Sequence, residues 1–227
     1  IFTNLIEPGD RVIVGVNGYF AGRMSDMVER LGGEAVCIEA EWGKPVEPDA
    51  VRRKLESERN VKAVAIVHPE ASTGVMNPIA EIGALCQEHD ALFIVDCVVS
   101  LGGCLVRVDE WNIDAAYSGS QKCLSCPPGI SPVTLSPRAV QTVEKRRSRV
   151  PIYYFDVLEL YKYWSEARVY HHTGPINMMY ALREGLRMVH EEGIENRVER
   201  HKRNSDLFIK RLESMGLEPF AQADVRL

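Results

Sequence analysis

Two side chains, Asp96 and Lys122, frame the chemistry open to this chain. Asp96 ends the apolar run Ile94-Val95-Asp96, which carries a carboxylate to the C-terminal end of a strand, where open α/β sheets place their ligands. Lys122 closes Tyr117-Ser118-Gly119-Ser120-Gln121-Lys122, a small, hydroxyl-rich loop that follows another strand. Each is ordinary alone, since such an aspartate is most often a cap or turn residue and a loop lysine is usually just solvated. Together they meet the needs of pyridoxal phosphate chemistry on amino acids: a lysine amine for the Schiff base and an acid to pair with the pyridinium nitrogen. The acid keeps the ring nitrogen protonated, so the ring can accept the electrons left when a substrate loses its Cα proton. The freed lysine is the natural base to take that proton and return it elsewhere.

The elements that would position this pair alternate. Arg11 to Val16 is a β-rich run after Pro8-Gly9-Asp10, and Phe20 to Leu31 spaces Met24, Met27, Val28 and Leu31 as a helix closed by Gly32-Gly33. The theme recurs with strands at Ala35 to Ile38, Lys62 to Val67 and Ala91 to Val95, and helices at Pro48 to Glu58 and Pro78 to His89. Ile113 to Tyr117 and Pro132 to Leu135 add two strands around the polar loop from Ser118 to Gly129. This order predicts a three-layer α/β/α architecture with a mostly parallel central sheet. From Pro175 onward long helices take over, at Asn177 to Glu192 and Glu195 to Met215. Residues 1–195 are therefore expected to form a large ligand-binding domain. Residues 196–227 are expected to supply a linking helix and the opening of a smaller α/β domain from Leu217. Both ends read as cut, the first inside a helix without a methionine and the last at Val225-Arg226-Leu227. The run Lys145-Arg146-Arg147-Ser148-Arg149 reads as a solvated helix end.

Bulk properties narrow the partners. With 27 basic and 32 acidic residues spread along 227 positions, the net charge of −5 offers no basic face for nucleic acid or an anionic membrane, so the partner is expected to be small. No apolar run approaches the roughly 20 residues that cross a bilayer, and Ile1 does not open a signal peptide. The six cysteines lie mostly in apolar or strand-like surroundings, which suits reduced thiols in a cytoplasm-like compartment. Cys123-Leu124-Ser125-Cys126 is formally a Cys-x-x-Cys pair, but a structural zinc would need two more ligands and no second such pair exists. No metal site is expected. A non-catalytic α/β nucleotide-binding module is the reading from a different class, and neither a Gly-x-Gly-x-x-Gly turn nor a Walker-type Gly-Lys-Ser/Thr supports it.

Three ordered blocks resemble one family: Ile94 to Gly103, then Ser118-Gly119-Ser120-Gln121-Lys122 with Pro127-Pro128-Gly129, then Tyr170-His171-His172-Thr173 followed by Pro175. The pattern is similar to the alanine–glyoxylate and serine–pyruvate aminotransferases, which are class V, fold-type I pyridoxal 5'-phosphate enzymes. The resemblance runs from Asn4 to about Phe220. It implies that Lys122 carries the cofactor, Asp96 pairs with its ring nitrogen, Val98 packs on one ring face and Gln121 reaches the phosphate. It implies too that Tyr170 and Thr173 bond the phosphate held by the other subunit of a homodimer. The implied reaction is a ping-pong transfer of an amino group from a small amino acid, alanine or serine, to a small 2-oxo acid, glyoxylate or pyruvate. Relatives of this kind work in cytoplasm, peroxisomes or mitochondria, and cytoplasm is the expectation here.

The sequence departs from the family at Ala71, within His68-Pro69-Glu70-Ala71-Ser72-Thr73-Gly74, where a cofactor-touching serine or threonine is common. Ser72 is the candidate substitute. The family's phosphate-binding loop would precede Ile1, and its substrate-carboxylate arginine would lie in the C-terminal domain. A cysteine desulfurase is the nearest rival within the fold, but those enzymes usually place histidine before the lysine, where this chain has Gln121.

Overall fold

The computed structural model describes residues 1–227. β1 (Arg11–Val16), β2 (Glu34–Glu39) and β3 (Val61–Val67) are followed by a short hairpin, β4 (Pro69–Glu70) and β5 (Val75–Met76). β6 (Leu92–Asp96), β7 (Ala115–Tyr117) and β8 (Val133–Leu135) complete the strands. All but the hairpin form one sheet in the order β2-β1-β3-β6-β7-β8, parallel except where β8 runs antiparallel to β7. The helices, in chain order, are α1 (Phe2–Leu5), α2 (Tyr19–Arg30), α3 (Pro48–Ser57), α4 (Ile79–Glu88), α5 (Pro137–Glu144), α6 (Val157–Trp164), α7 (Ile176–Glu192) and α8 (Ile194–Ser214).

Strand periodicity sorts the core into two layers. Val12, Val14, Ala65, Leu92 and Ile94 point to one face and pack with Ala21, Met24 and Val28 of α2, with α1 and with α5. Ile13, Val64, Ile66, Phe93 and Val95 point to the other face, against Val51 and Leu55 of α3 and Ile79, Ile82 and Leu85 of α4. Strands buried on both faces are apolar at nearly every position, which is why β3 and β6 read as continuous runs. Each fully buried side chain of this size contributes roughly 1.5–3 kcal/mol relative to exposure. Phe93, the second residue of β6, is fully buried. The predicted three layers and mostly parallel sheet are the observed architecture.

Several segments depart from the sequence reading. The β4–β5 hairpin and the helix α6 were not expected, and α5 was implied only as the helix that the charge run ends, because such short elements carry little periodicity. The run at 145–149 is more than a solvated end. Arg146 donates to the carbonyls of Asn4 and Ile6, and the Glu7 carboxylate accepts from the Arg147 amide and from the Ser148 amide and hydroxyl. Burial opposes the charge of Glu7, but these bonds outweigh it and bring its carboxyl down to about 2. The run thus fastens α1 and the segment after it to the chain that leaves α5. At the other end, Met76 donates to Val225 and Leu227 donates to Gly74, so the last residues lie against the hairpin, while Leu217 to Phe220 form no strand.

Asp114, just before β7, shows how the sheet is fixed to its helices. Its buried carboxylate accepts from the Phe93 amide, the Ser136 hydroxyl and the Arg138 guanidinium, joining β6, β7 and the first turn of α5. His68, at the end of β3, is a costlier polar burial: its Nδ1 is without a partner, and its ring meets Trp111 edge-on at 5.6 Å. Burial pushes the imidazole down to about 4 from its ordinary 6.5, so the folded state excludes a proton that the unfolded chain accepts. His68 therefore adds no pH-dependent cost above pH 6.5, and stability falls as pH drops toward 4, by roughly 3 kcal/mol over that window. Chemical denaturation between pH 7 and 4 should show this slope in the wild type, and a shallower one in His68→Phe.

Candidate active site

The C-terminal edge of the parallel strands collects the candidate residues. Asp96 ends β6, and the β6–β7 register sets it opposite Tyr117, with both side chains on the face covered by α2. The strand ladder then continues into the loops, because Cys97 donates its amide to Tyr117 O and the Ser118 hydroxyl donates to Cys97 O at 3.1 Å. The Val98 amide turns back to donate to Asp96 Oδ1 at 2.8 Å. Burial raises the Asp96 carboxyl above its usual range, against the bonds from Val98 and Tyr117. Glu70 adds to the rise, and Arg23, the smallest influence, is the one positive charge offsetting it. Tyr117 is pushed up in turn, first by burial and then by the charge of Asp96.

Lys122 is exposed on a loop that is internally bonded. The Ser120 hydroxyl donates to Pro127 O at 2.6 Å, Cys126 N donates to Ser120 O, and Ser125 N donates to Lys122 O. These bonds fold residues 120–127 into a compact knuckle with the lysine outward. Gln121 is also exposed, and its amide folds over Gly119. On the inner side, Cys123 Sγ donates to Val99 O, and Cys126 Sγ donates to Leu124 O and to Ala181 O of α7. Both thiols are thus occupied by carbonyls, and burial raises that of Cys123, the reverse of what a nucleophile needs. No group of three or more His, Cys, Asp or Glu side chains is arranged to hold a metal ion.

The hairpin holds the residues around Ala71. Glu70 is fully buried, and its carboxylate accepts from the Ala21 amide at 3.0 Å and from the Ser72 amide and hydroxyl. Helix α2 begins after Gly18, which has no side chain to cap it, so Glu70 reaches across from the hairpin to satisfy its free amides. The Ser72 hydroxyl also accepts from the Tyr19 amide at 2.9 Å. Ser72 is therefore committed to the α2 cap and does not replace the hydroxyl that Ala71 lacks.

Tyr170 and Thr173 lie on the stretch between α6 and α7, bonded to each other at 3.1 Å and both exposed. They belong to an aromatic cluster in which His171 stacks on Tyr153 at 4.5 Å and donates to or accepts from His172 at 2.8 Å. None of the cluster's hydrogen bonds or ring contacts reaches Asp96 or the lysine loop. A cavity of about 200 Å³ lined by Leu101, Val106, Val108 and Val133 includes neither Asp96 nor Lys122. Glu70 and Arg197, which hold the elements around the site, were missed from the sequence. Glu70 could have been noticed as a charge among hairpin residues, whereas nothing near Arg197 marks it.

Comparison with known proteins decides the family. The model of the family described as Aminotransferase class-V matches residues 1–226. The chain belongs to the class V aminotransferases. It is 44% identical to an uncharacterized aminotransferase of Methanocaldococcus jannaschii, over 99% of this chain and 58% of that protein. It is 38% identical to the (S)-ureidoglycine–glyoxylate transaminase of Bacillus subtilis, over 100% of this chain and 59% of that one. The crystal structure of an alanine–glyoxylate aminotransferase from Nostoc sp. superposes with a TM-score of 0.97 at 44% identity, covering 100% of this chain and 60% of its own. The chain thus spans somewhat under two thirds of the length of these relatives. Its mixed, mostly parallel sheet with flanking helices is that of the fold-type I pyridoxal-phosphate transferases.

One close approach in this class V aminotransferase chain is testable at once. Gly185, buried in α7, lies so near the lysine loop that a Cβ there would stand 2.7 Å from Leu124 O and collide with Cys126 Sγ. Gly185→Ala should destabilise the protein by about 1–2 kcal/mol despite the helix preference for alanine, and should make the bond after Lys122 a site of limited tryptic cleavage. Gly22→Ala, facing open space in α2, should be neutral or stabilising in the same thermal melt.

Proposed function

We propose that this chain is the cofactor-binding part of a pyridoxal 5'-phosphate-dependent aminotransferase acting on small amino acids and 2-oxo acids. The observation that carries the reading is Asp96, a desolvated carboxylate short of positive charge, held on the same strand edge as the exposed amine of Lys122. Those residues fit the group. Asp96 would bond its protonated ring nitrogen, Lys122 would attach it, Val98 would pack on the ring, and Gln121 would reach its phosphate. When bound, the cofactor supplies an electron sink for the carbanion left at the substrate Cα.

The chain's own residues do the rest. Asp96, oriented by the Val98 amide, holds a proton at its partner nitrogen, because a carboxylate in a dry site gains most from an adjacent cation. Lys122, exposed at the tip of an internally bonded knuckle, would take the proton from the donor's Cα and deliver it two bonds away, to the carbon on the far side of the transferred nitrogen. Transfer in both halves of a ping-pong cycle uses the same amine.

Several facts support the finer claims. The names of the similar proteins from Bacillus subtilis and Nostoc favour glyoxylate as acceptor over a desulfurase, and the Nostoc name favours alanine as donor; serine as donor rests on the resemblance alone. Tyr170 and Thr173 bond each other through their hydroxyls and are exposed, with Tyr163 edge-on to Tyr170, as residues completing another subunit's phosphate site in a homodimer would be. Residues 1–195 would form the cofactor domain, and 196–227 would lead through α8 into a second one. Six unpaired cysteines suit a reducing, cytoplasmic setting, and no helix is long and apolar enough to cross a membrane.

The test uses the full-length protein and visible absorbance. Added pyridoxal phosphate should give a yellow band in the wild type and none in Lys122→Ala. Alanine should bleach the band and glyoxylate should restore it. A wild type without the band, or a Lys122→Ala variant that keeps it, would reject the assignment.

A further inference from the structure

Arg197 is the one arginine or lysine whose side chain is buried, and it sits far in sequence from the two carbonyls it bonds. From the first turns of α8, its Nε donates to Gly102 O at 2.9 Å and its Nη2 to Cys123 O at 2.7 Å. Its Nη1 meets Glu192, at the end of α7, at 2.9 Å. Gly102 lies on the segment that leaves Asp96, and Cys123 is the residue after Lys122. A single planar group therefore bridges the two loops that carry the candidate acid and the candidate amine. Neither carbonyl accepts a backbone hydrogen bond, so the guanidinium is what satisfies them.

We propose that Arg197 is a positioning residue that fixes the Lys122 loop against the Asp96 loop, with Glu192 setting the angle of its guanidinium. This rests on the reading that Lys122 carries the cofactor. The chemistry requires arginine. A fork of donors in one plane reaches two carbonyls and a carboxylate at once, whereas an ammonium has no such span. Glu192 is itself shared with Arg200 at 2.5 Å, and hydrogen bonds from Arg200 and Arg197, acting against desolvation, bring its carboxyl down to about 2. It thus remains charged throughout the range in which an aminotransferase would work. Gly185 of α7 closes the loop from the other side, leaving the knuckle between two helices and the Gly102 turn. The lysine is free at its tip because its base is held.

The experiment compares full-length wild type, Arg197→Lys and Glu192→Gln. Arg197→Lys keeps the charge beside Glu192 but loses the bridge. In the cofactor-free protein, amide hydrogen exchange at Gly103, Cys104, Ser125 and Cys126 should accelerate about tenfold, with β3 and β6 unchanged. The rate at which added pyridoxal phosphate develops the Lys122-dependent band should fall by about the same factor, and the band's pH midpoint should move. Glu192→Gln should act in the same direction and less. Wild-type exchange and wild-type uptake in Arg197→Lys would overturn the proposal. Faster exchange spread equally over β3 and β6 would also overturn it, by making Arg197 a general stabiliser. Absence of the band in the wild type would instead sink the reading of Lys122, while the exchange pattern would still report whether Arg197 joins the two loops.

Discussion

The parallel pairing of β6 with β7 is the constraint on which the site depends. Because Asp96 is set opposite Tyr117, the last peptide of each strand falls at the same height, and the bonds from Cys97 and Ser118 carry the ladder one residue past the sheet. The carboxylate is then desolvated by the α2 layer, while the chain beyond Tyr117 needs only five more residues to bring an amine to the same edge. A slip of one residue in β6 would turn Asp96 into the opposite layer, among the apolar side chains of α3 and α4. The burial of Phe93 and Val95 in that layer and of Leu92 and Ile94 in the other is what forbids the slip.

Around this register, charged groups are used as fasteners for loops and helix ends. Glu7 gathers the amides after α5, Glu70 caps α2 from the hairpin, Asp114 joins two strands to α5, and Arg197 ties two loops. In each case the partners include backbone groups that would otherwise be buried without bonds, so the gain lies in avoiding an unmet group more than in the ion pair itself. The effect is a pair of bonded loops in which Asp96 is held by the Val98 amide and Tyr117 while the Lys122 amine stays exposed.

The sequence made the sheet legible because strands buried on both faces announce themselves as apolar runs, and helices with one buried stripe announce their period. Asp96 and Lys122 stood out as candidates because one ends such a run and the other closes the polar loop after the next strand, whereas Val98 and Gln121 came from the resemblance. The hairpin at Pro69–Met76 was not, since two residues per arm leave no alternation to read. The run at 145–149 was legible as charge and not as contact, because the carbonyls that Arg146 engages lie at Asn4 and Ile6. Arg197 was invisible for the same reason: its neighbours in sequence form a charged helix, and its partners are backbone atoms of Gly102 and Cys123. Tyr170 and Thr173 were found by resemblance alone, and nothing within the chain connects them to Asp96.

The central claim is that a buried carboxylate on this edge holds a proton on a ring nitrogen while the lysine moves another. Asp96→Asn in the full-length protein tests it, because asparagine keeps the shape and the bond from Val98 but removes the charge. Single-turnover mixing with alanine should show the cofactor still attached through Lys122 and amino transfer slowed about a hundredfold or more. Transfer at the wild-type rate in Asp96→Asn would contradict the account.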